Sequence, residues 1–125
     1  TLIPDSGGAG EWRGGLGISR SYRLLASTAT LQLRADRTRF NPYGLGGGLP
    51  GARSSNWIKR EKGWEPLPGK ITCKIAKGDV IRHDQAGGGG YGNPRQRDPG
   101  RILSDISDGK ISPDYAIKYH GFKTE

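Results

Sequence analysis

One stretch near the start of the chain organises the rest: Pro4-Asp5-Ser6-Gly7-Gly8-Ala9-Gly10-Glu11-Trp12-Arg13-Gly14-Gly15-Leu16-Gly17. Six of these fourteen residues are glycine. Glycine is used where the backbone needs a positive φ or must approach another backbone closely. Because a flexible linker has no need of Trp12 and Arg13 between paired glycines, we interpret the stretch as an ordered glycine turn system that leads into a strand at Ile18.

Two further glycine clusters follow, at 44–51 and 87–92. The first lacks the Gly-Lys-Ser/Thr ending of a phosphate-binding loop. Glycine-rich segments that contain proline can instead form extended polyproline-like segments whose bare backbones pack closely. Four consecutive glycines at 87–90 cost much conformational entropy to order. Tyr91 and Pro94 supply anchors, so we predict that this run is ordered as well.

Alternating apolar and polar residues predict strands between the glycine clusters. Segments 18–25 and 28–34 suit two strands, and the short connection between them predicts that they pair as a hairpin. Residues 56–60 form a shorter strand, followed by a turn at Lys62-Gly63. The clearest predicted hairpin pairs 70–75 with 79–83 around Lys77-Gly78-Asp79, where glycine can take a positive φ. Residues 66–69 are interpreted as a rigid connector.

Two short helices are predicted at the end of the chain. Asp98-Pro99 suits the start of the first helix and Gly109 its end. Ser112-Pro113 starts the second, and Gly121 ends it. Their apolar groups are Ile102, Leu103 and Ile106 in the first helix, and Tyr115, Ile117, Tyr119 and Phe122 in the second.

The predicted fold class is mainly β, with glycine-rich β-hairpins and extended polyproline-like segments before a short C-terminal helical pair. Residues 1–97 form the glycine-rich β region and residues 98–125 the helical tail, as parts of one domain of a larger assembly. Leu, Ile, Val and Phe together make up only 23 of the 125 residues. The chain is therefore expected to be poorly folded alone and to complete its core against another subunit or a longer polypeptide.

The net charge of +8 raises the alternative of a basic, glycine-rich nucleic-acid-binding module. Acidic residues fall among the basic ones, however, as in Lys59-Arg60-Glu61-Lys62 and Arg95-Gln96-Arg97-Asp98. Interspersed charges of this kind are typical of a solvated surface, or of one that faces an acidic subunit. Nucleic acid is therefore the less favoured partner.

The residue types that perform chemistry do not form a catalytic pattern. Cys73 is the only cysteine and lies between Ile71 and Ile75 on the apolar face of its strand, where an inert thiol is expected. His83 and Asp84 are adjacent in a strand and therefore point to opposite faces. His120 lies far away in the tail. We expect no catalytic side chain, no metal site and no bound cofactor in this chain.

No apolar run long enough to cross a membrane is visible, nor is a signal peptide, and a cytoplasmic location is expected. The chain contains no Met and begins at Thr1. It is therefore expected to be trimmed, cleaved from a precursor or part of a longer polypeptide.

Four ordered motifs resemble the hydantoinase B/oxoprolinase family. They are 5–10 with 12–17, Ala35-Asp36-Arg37-Thr38-Arg39-Phe40 with Gly44, Gly46-Gly47-Gly48-Leu49-Pro50-Gly51, and Gly87-Gly88-Gly89-Gly90-Tyr91-Gly92-Asn93-Pro94. The closing Arg97-Asp98-Pro99 and the helical tail also fit the family. The resemblance covers nearly the whole chain but only the C-terminal part of the family, which also resembles large subunits of acetone and acetophenone carboxylases.

The resemblance implies a small subunit or C-terminal fragment of an ATP-dependent cyclic-amide hydrolase, of the hydantoinase or 5-oxoprolinase type, or of a ketone carboxylase. In such a multi-subunit enzyme this chain would have a structural and pocket-shaping role. Larger hydantoinase A-like and B-like subunits are the expected partners, and they would carry ATP and a divalent metal. The candidate residues for the substrate pocket or for assembly are Asp5, Trp12, Arg13, Arg37, Gly89 and Tyr91.

Overall fold

The computed structural model describes residues 1–123. Its strands are β1 (Ser19–Arg23), β2 (Thr28–Arg34), β3 (Ser55–Arg60), β4 (Gly63–Leu67), β5 (Lys70–Ala76) and β6 (Val80–Asp84). A 3-10 turn, Pro94–Gln96, precedes α1 (Pro99–Ser107), and α2 (Pro113–Tyr115) continues as a π-type turn, Ala116–His120. The mainly β fold class with a short C-terminal helical pair is confirmed.

The strands form two antiparallel sheets. Neither of the two hairpins predicted from the sequence is present. One sheet has the order β1-β6-β3-β4, and the other pairs β2 with β5. The predicted pairing of β1 with β2 is therefore wrong, and so is that of β5 with β6. The turn at Gly78, with φ of 92°, is present, but the strands on either side of it enter different sheets.

The reason is that β1–β2 and β5–β6 run side by side as two long bent strands. Arg23 pairs with Val80 before the bend, and Thr28 pairs with Ala76 after it. At the bend itself, Leu24 N–H donates to the Asp79 carbonyl at 3.0 Å. Residues 24–27 face residues 77–79, so the first strand has one residue more than its partner at this point. An extra residue on one strand is characteristic of a β-bulge, which bends the ladder.

The predicted strand at 56–60 is confirmed as β3, and after a turn beside Gly63 it pairs with β4 as a hairpin that was not predicted. Pro66, predicted to belong to a rigid connector, instead lies within β4 opposite Trp57. Proline is tolerated there because β4 is at the edge of its sheet, and an N–H that faces away from the sheet makes no inter-strand hydrogen bond.

Two small clusters of buried side chains stabilise the fold. Ile58, Ile75 and Ile81 pack between the sheets, with Cys73 at their margin as predicted. Ile102 is buried in the second cluster, among the helices. The apolar residues of that cluster are Ile102, Ile111 and Ala116, with Ile106, Tyr115 and Phe122 packed against them.

The helical faces differ in part from those predicted. Leu103 and Ile117 are exposed, while Ala116 and His120 are buried in the positions that the larger apolar residues were expected to take. Helix α1 begins as predicted, because the Asp98 carboxylate accepts from the Arg101 N–H at 3.0 Å.

The accessible surface of the described chain is 8092 Å². A folded monomer of this mass exposes about 6,500 Å² on average. The excess agrees with the small number of buried apolar side chains and leaves much of the sheet surface uncovered.

Candidate functional site

Three glycine-rich segments, 5–17, 42–52 and 85–94, lie against one another, and we call them the glycine bundle. Gly8 N–H donates to the Gly88 carbonyl at 2.8 Å, and Gly90 N–H donates to the Leu49 carbonyl at 2.9 Å. Leu49 N–H donates to the Ala9 carbonyl at 2.8 Å, which joins segment 42–52 to segment 5–17. Each segment is thus hydrogen-bonded to the other two through its backbone, although most of the bundle is not a regular β-ladder.

Close backbone approach explains the choice of glycine in the bundle. A Cβ atom added to Gly89 would overlap the carbonyl oxygen of Tyr43, and one added to Gly14 would overlap that of Gly88. Because these obstacles are backbone atoms, they cannot rotate away as a side chain could. Gly15 differs, since a Cβ atom there would meet nothing within 4 Å.

A buried ion cluster attaches α1 to the bundle. The Arg13 Nε donates to Asp105 Oδ2 at 3.1 Å, and Arg97 donates to the same oxygen at 2.7 Å. Arg97 also donates to the Glu11 carbonyl at 2.9 Å. The Asp105 side chain is only 6% exposed, so two guanidinium groups compensate one buried carboxylate.

The environment of Asp105 has opposing effects on its pKa. Burial acts to raise the pKa of this carboxyl, but the hydrogen bonds and positive charges of Arg13 and Arg97 lower it by more. The net pKa lies below its ordinary value, and Asp105 is ionised at neutral pH.

His120 and Tyr115 join the second helix to the bundle. His120 Nδ1 lies 2.8 Å from the Pro94 carbonyl oxygen, which can only accept, so Nδ1 carries the proton of the neutral ring. Burial is the main reason that the pKa of His120 is lowered, with a further contribution from the charge of Arg97. The Tyr115 hydroxyl donates to the Gly7 carbonyl at 2.7 Å, and burial raises the pKa of this phenol to about 12.

Asp5 makes the third connection between the bundle and the helices. It has a left-handed backbone with φ of 61°, and its carboxylate accepts from the Ser112 N–H at 2.7 Å. The Asp5 N–H donates in turn to the Lys110 carbonyl at 3.1 Å. Asp5 therefore holds the loop that starts α2.

Three large apolar side chains, Trp12, Leu45 and Tyr91, lie together on the outside of the bundle. Trp12 and Tyr91 exchange two backbone hydrogen bonds of 2.9 Å, and Tyr91 forms a parallel bridge with Leu45. All three side chains are at least half exposed. The Arg101 guanidinium lies 4.7 Å from the centre of the Trp12 ring, a cation–π distance.

Five of the six candidate residues proposed from sequence lie on the glycine bundle: Asp5, Trp12, Arg13, Gly89 and Tyr91. Arg37 lies apart, in the bends after β2, with φ of 60°. β2 ends at Arg34, so Arg37 and Arg39 do not continue this strand. The assignment of a role to these six residues remains a prediction.

His83 and Asp84 have separate partners, as their opposite faces predicted. His83 Nδ1 lies 2.6 Å from the Asn56 amide oxygen. Asp84 pairs with Arg82 at 3.2 Å and accepts from the Ser19 hydroxyl at 2.5 Å. The contacts with Asn56 and Ser19 tie β6 to β3 and β1, its two neighbours in the sheet.

Sequence reasoning missed Asp105 and Tyr115 as parts of the site. Asp105 lies between Ile102 and Ile106 on the inward face of α1, and an acid on an apolar helical face is a signal that could have found it. No local signal identifies its partner Arg13, which is 92 residues away.

Within residues 1–123, no three His, Cys, Asp or Glu side chains gather closely enough to suit a metal ion. The same residues contain no helix with the length and apolar character to cross a membrane. The site as a whole is a backbone-packed module braced by ion pairs.

Comparison with known proteins gives this module a family. The family description "Hydantoinase B/oxoprolinase" matches residues 1–94, about three quarters of the chain. This chain therefore belongs to the hydantoinase B/oxoprolinase family, as the glycine motifs predicted.

Two relatives show the extent of the similarity. An uncharacterised protein of Methanocaldococcus jannaschii, MJ0963, is 42% identical over 94% of this chain and 22% of its own length. The caprolactamase subunit beta of Pseudomonas jessenii is 28% identical over 97% of this chain and 22% of its own length. The chain thus spans about a fifth of the length of these relatives.

Two solved structures share the fold over the whole chain. The ATP-dependent caprolactamase of Pseudomonas jessenii superposes with a TM-score of 0.82 at 24% identity, and 22% of its chain is covered. A nucleotide-free acetone carboxylase superposes with a TM-score of 0.79 at 19% identity, and 21% of its chain is covered. At these identities the likeness concerns the fold.

Proposed function

We propose that this chain is a small subunit or C-terminal fragment of an ATP-dependent enzyme that hydrolyses a cyclic amide or carboxylates a ketone. Its role there is structural and pocket-shaping, in a cytoplasmic complex with larger hydantoinase A-like and B-like subunits. Family membership and the named activities of the two structural neighbours support this proposal.

The glycine bundle is the observation that carries the structural role. Its segments are held at backbone contact distance, which gives a rigid wall without bulky side chains. The candidate residues Trp12 and Tyr91 project from this wall, and Arg13 braces it against α1. A wall of this kind suits the surface of a pocket or a subunit interface.

In this proposal ATP and the divalent metal are bound by the partner subunits, and no side chain of this chain performs covalent or acid–base chemistry. The side chains that could do so have structural contacts instead. His83 is hydrogen-bonded to Asn56 and His120 is hydrogen-bonded to the Pro94 carbonyl, while Cys73 packs beside the sheet core.

Reconstitution with co-expressed A-like and B-like subunits tests the proposal. We expect co-purification and ATP-dependent turnover of a hydantoin, 5-oxoproline or a small ketone. Replacing Cys73, His83 or His120 by Ala should change turnover by less than about tenfold. Gly89→Val should reduce it far more. A loss of several orders of magnitude in His83→Ala, with assembly intact, would show that a catalytic residue lies in this chain.

Trp12 has a well-matched control for its role in assembly. Trp12 and Trp64 are 50% and 42% exposed, and an arginine lies 4.7 Å from the first ring and 5.0 Å from the second. Trp12→Ala should weaken co-purification more than Trp64→Ala. Equal effects would contradict a special role of the bundle in assembly.

Binding to nucleic acid is the alternative outcome, and salt dependence identifies it. A basic nucleic-acid-binding module loses affinity steeply as salt is added. Several basic side chains here already face carboxylates, among them Arg13, Arg60 and Arg97. We therefore expect only weak binding to a random-sequence DNA duplex at physiological salt.

A further inference from the structure

The edge of β2 is the most open strand edge that the structure presents. β2 and β5 form a sheet of only two strands, and within residues 1–123 no strand lies on the other side of β2. Two-stranded sheets are marginal in water, and a third strand or a packed helix usually completes them. An edge that exposes unpaired N–H and C=O groups is a template for a further strand.

Other edges of the molecule are protected in ways that β2 is not. The edge strand β4 contains Pro66, which has no N–H to offer. The outer side of β1 is met at its start by Thr1, whose carbonyl accepts from the Ser19 N–H at 2.8 Å. β5 carries two lysines, Lys70 and Lys74, and lysine is a common guard of edges. β2 has seven residues, no proline and one charge, Arg34, at its end.

An apolar groove runs along this edge, with a volume of about 440 Å³. Leu31 and Leu33 of β2 line it together with Leu24, and Ile75 and Ile81 of the sheet core contribute to its surface. Leu31 and Leu33 are on the half-buried face of β2. A strand added to β2 would place every second side chain in this groove, because side chains alternate along a strand.

The opposite face of the two-stranded sheet is basic. Arg34 lies directly opposite Lys70 in the register, and Lys74 lies opposite Thr30 on the same exposed face. Like charges that face each other across strands are destabilising. Within residues 1–123, none of these three cations is in an ion pair. This face would therefore gain from a neighbour that carries carboxylates.

We propose that the β2 edge accepts an extended segment of alternating apolar and acidic residues as a third strand. Its apolar residues enter the groove beside Leu31 and Leu33. Its carboxylates lie on the basic face. They are one strand spacing, about 5 Å, from β2, which carries Arg34, and two spacings from β5, which carries Lys70. The occupant is a segment of a larger polypeptide, consistent with relatives about five times as long as this chain. The inference is independent of the proposed enzymatic activity.

A second copy of this chain fits the edge less well. Pairing two β2 edges would join two chains that each carry a net charge of +8, and it would supply no carboxylate to Arg34, because the other residues of β2 are uncharged. The acidic segment has the opposite charge and meets no such repulsion.

The test uses the full chain and a capped, fluorescent decapeptide of alternating Val and Glu. The buffer contains trimethylamine N-oxide, which strengthens the burial of surface. We expect saturable binding by fluorescence anisotropy, weakened by added salt, and slower amide hydrogen exchange in β2 but not in β4. Absence of binding, or protection confined to β4, would overturn the proposal.

Two control peptides separate backbone pairing from charge. A Val–Glu peptide that is N-methylated at alternate positions on its pairing edge cannot donate ladder hydrogen bonds and should bind at least about tenfold more weakly. A Val–Lys peptide should also bind at least about tenfold more weakly. Equal binding of the methylated peptide would refute strand addition, and equal binding of the Val–Lys peptide would refute the acidic identity of the occupant.

Arg34→Glu supplies the matched variant in the protein. It converts the like-charged pair with Lys70 into an opposite pair, so the fold should not be weakened. We expect it to bind the Val–Glu peptide about tenfold more weakly and to bind the Val–Lys peptide more tightly. Lys62→Glu, in the turn after β3, is the control and should change neither affinity by as much. Sedimentation of the chain alone as a dimer joined through β2 would also overturn the proposal.

Discussion

The glycine bundle and the sheet core are stabilised in opposite ways. In the sheet core, branched side chains such as Ile58 exclude water, and the backbones are spaced by regular ladders. In the bundle, backbones touch directly, and the space between segments is too small for a Cβ atom at Gly14 or Gly89. The bundle therefore obtains order from hydrogen bonds and close packing with little apolar burial.

This difference predicts opposite tolerance to substitution. A side-chain core tolerates small losses of volume because its neighbours relax in part. A backbone-packed bundle has no side chain that can move aside, so an added methyl group must displace main chain. The bundle also relies on charged anchors, since Arg13, Arg97 and Asp105 hold it to the helices.

Gly89→Val should have the largest effect on stability. The added side chain overlaps the Tyr43 carbonyl, and we expect a loss of more than about 4 kcal/mol in the free energy of unfolding. Urea unfolding in trimethylamine N-oxide measures it. Gly15→Val is the control within the same bundle and should cost less than about 1 kcal/mol, because its Cβ position is open. Similar losses at both positions would refute backbone packing as the cause.

Asp105→Ala should cause the second largest loss in the free energy of unfolding. Removing this carboxylate leaves Arg13 and Arg97 buried without compensation, which typically costs about 3–5 kcal/mol. Asp108→Ala removes a more exposed pair with Lys110 and should cost about 0.5 kcal/mol or less. The same urea titration compares them, and a small loss in Asp105→Ala would mean that the ion cluster does not anchor the bundle.

Ile58→Val should have a smaller effect, because it removes one methylene from the fully buried centre of the sheet core. We expect a loss of about 1 kcal/mol. Ile117→Val, at a half-exposed position, should be close to neutral. A loss in Ile58→Val as large as that in Gly89→Val would remove the contrast between the two regions.

The smallest effect concerns acidification. The pKa of His120 is lowered in the folded chain, so the unfolded chain binds a proton first as the pH falls below about 6.5. Stability should therefore decrease between pH 7 and pH 5. Asp105, whose pKa is also lowered, adds a further decrease below its ordinary value of 3.8.

His120→Gln isolates the first of these two steps. The glutamine amide can still donate to the Pro94 carbonyl but does not titrate. The variant should lose less stability than the unsubstituted chain between pH 7 and pH 5, measured by urea unfolding in trimethylamine N-oxide across that range. An identical pH dependence in both proteins would contradict the assignment to His120.

Local features of the fold were predictable from sequence. Alternation located β2 and β5, and Asp98-Pro99 and Ser112-Pro113 marked the starts of the two helices. The glycine clusters predicted ordered, closely packed segments, and their motifs predicted the family. Each of these signals depends on residues that are close together along the chain.

Strand partners and the ion cluster depended on tertiary structure. A short connection favours a hairpin locally, but β1 and β2 pair instead with β6 and β5, whose paired residues lie 36–65 positions further on. Likewise, Arg13 meets Asp105 only because the bundle and α1 pack together. Periodicity defines which face of a segment is apolar, whereas the choice of neighbour depends on burial and backbone contacts that form across the whole chain.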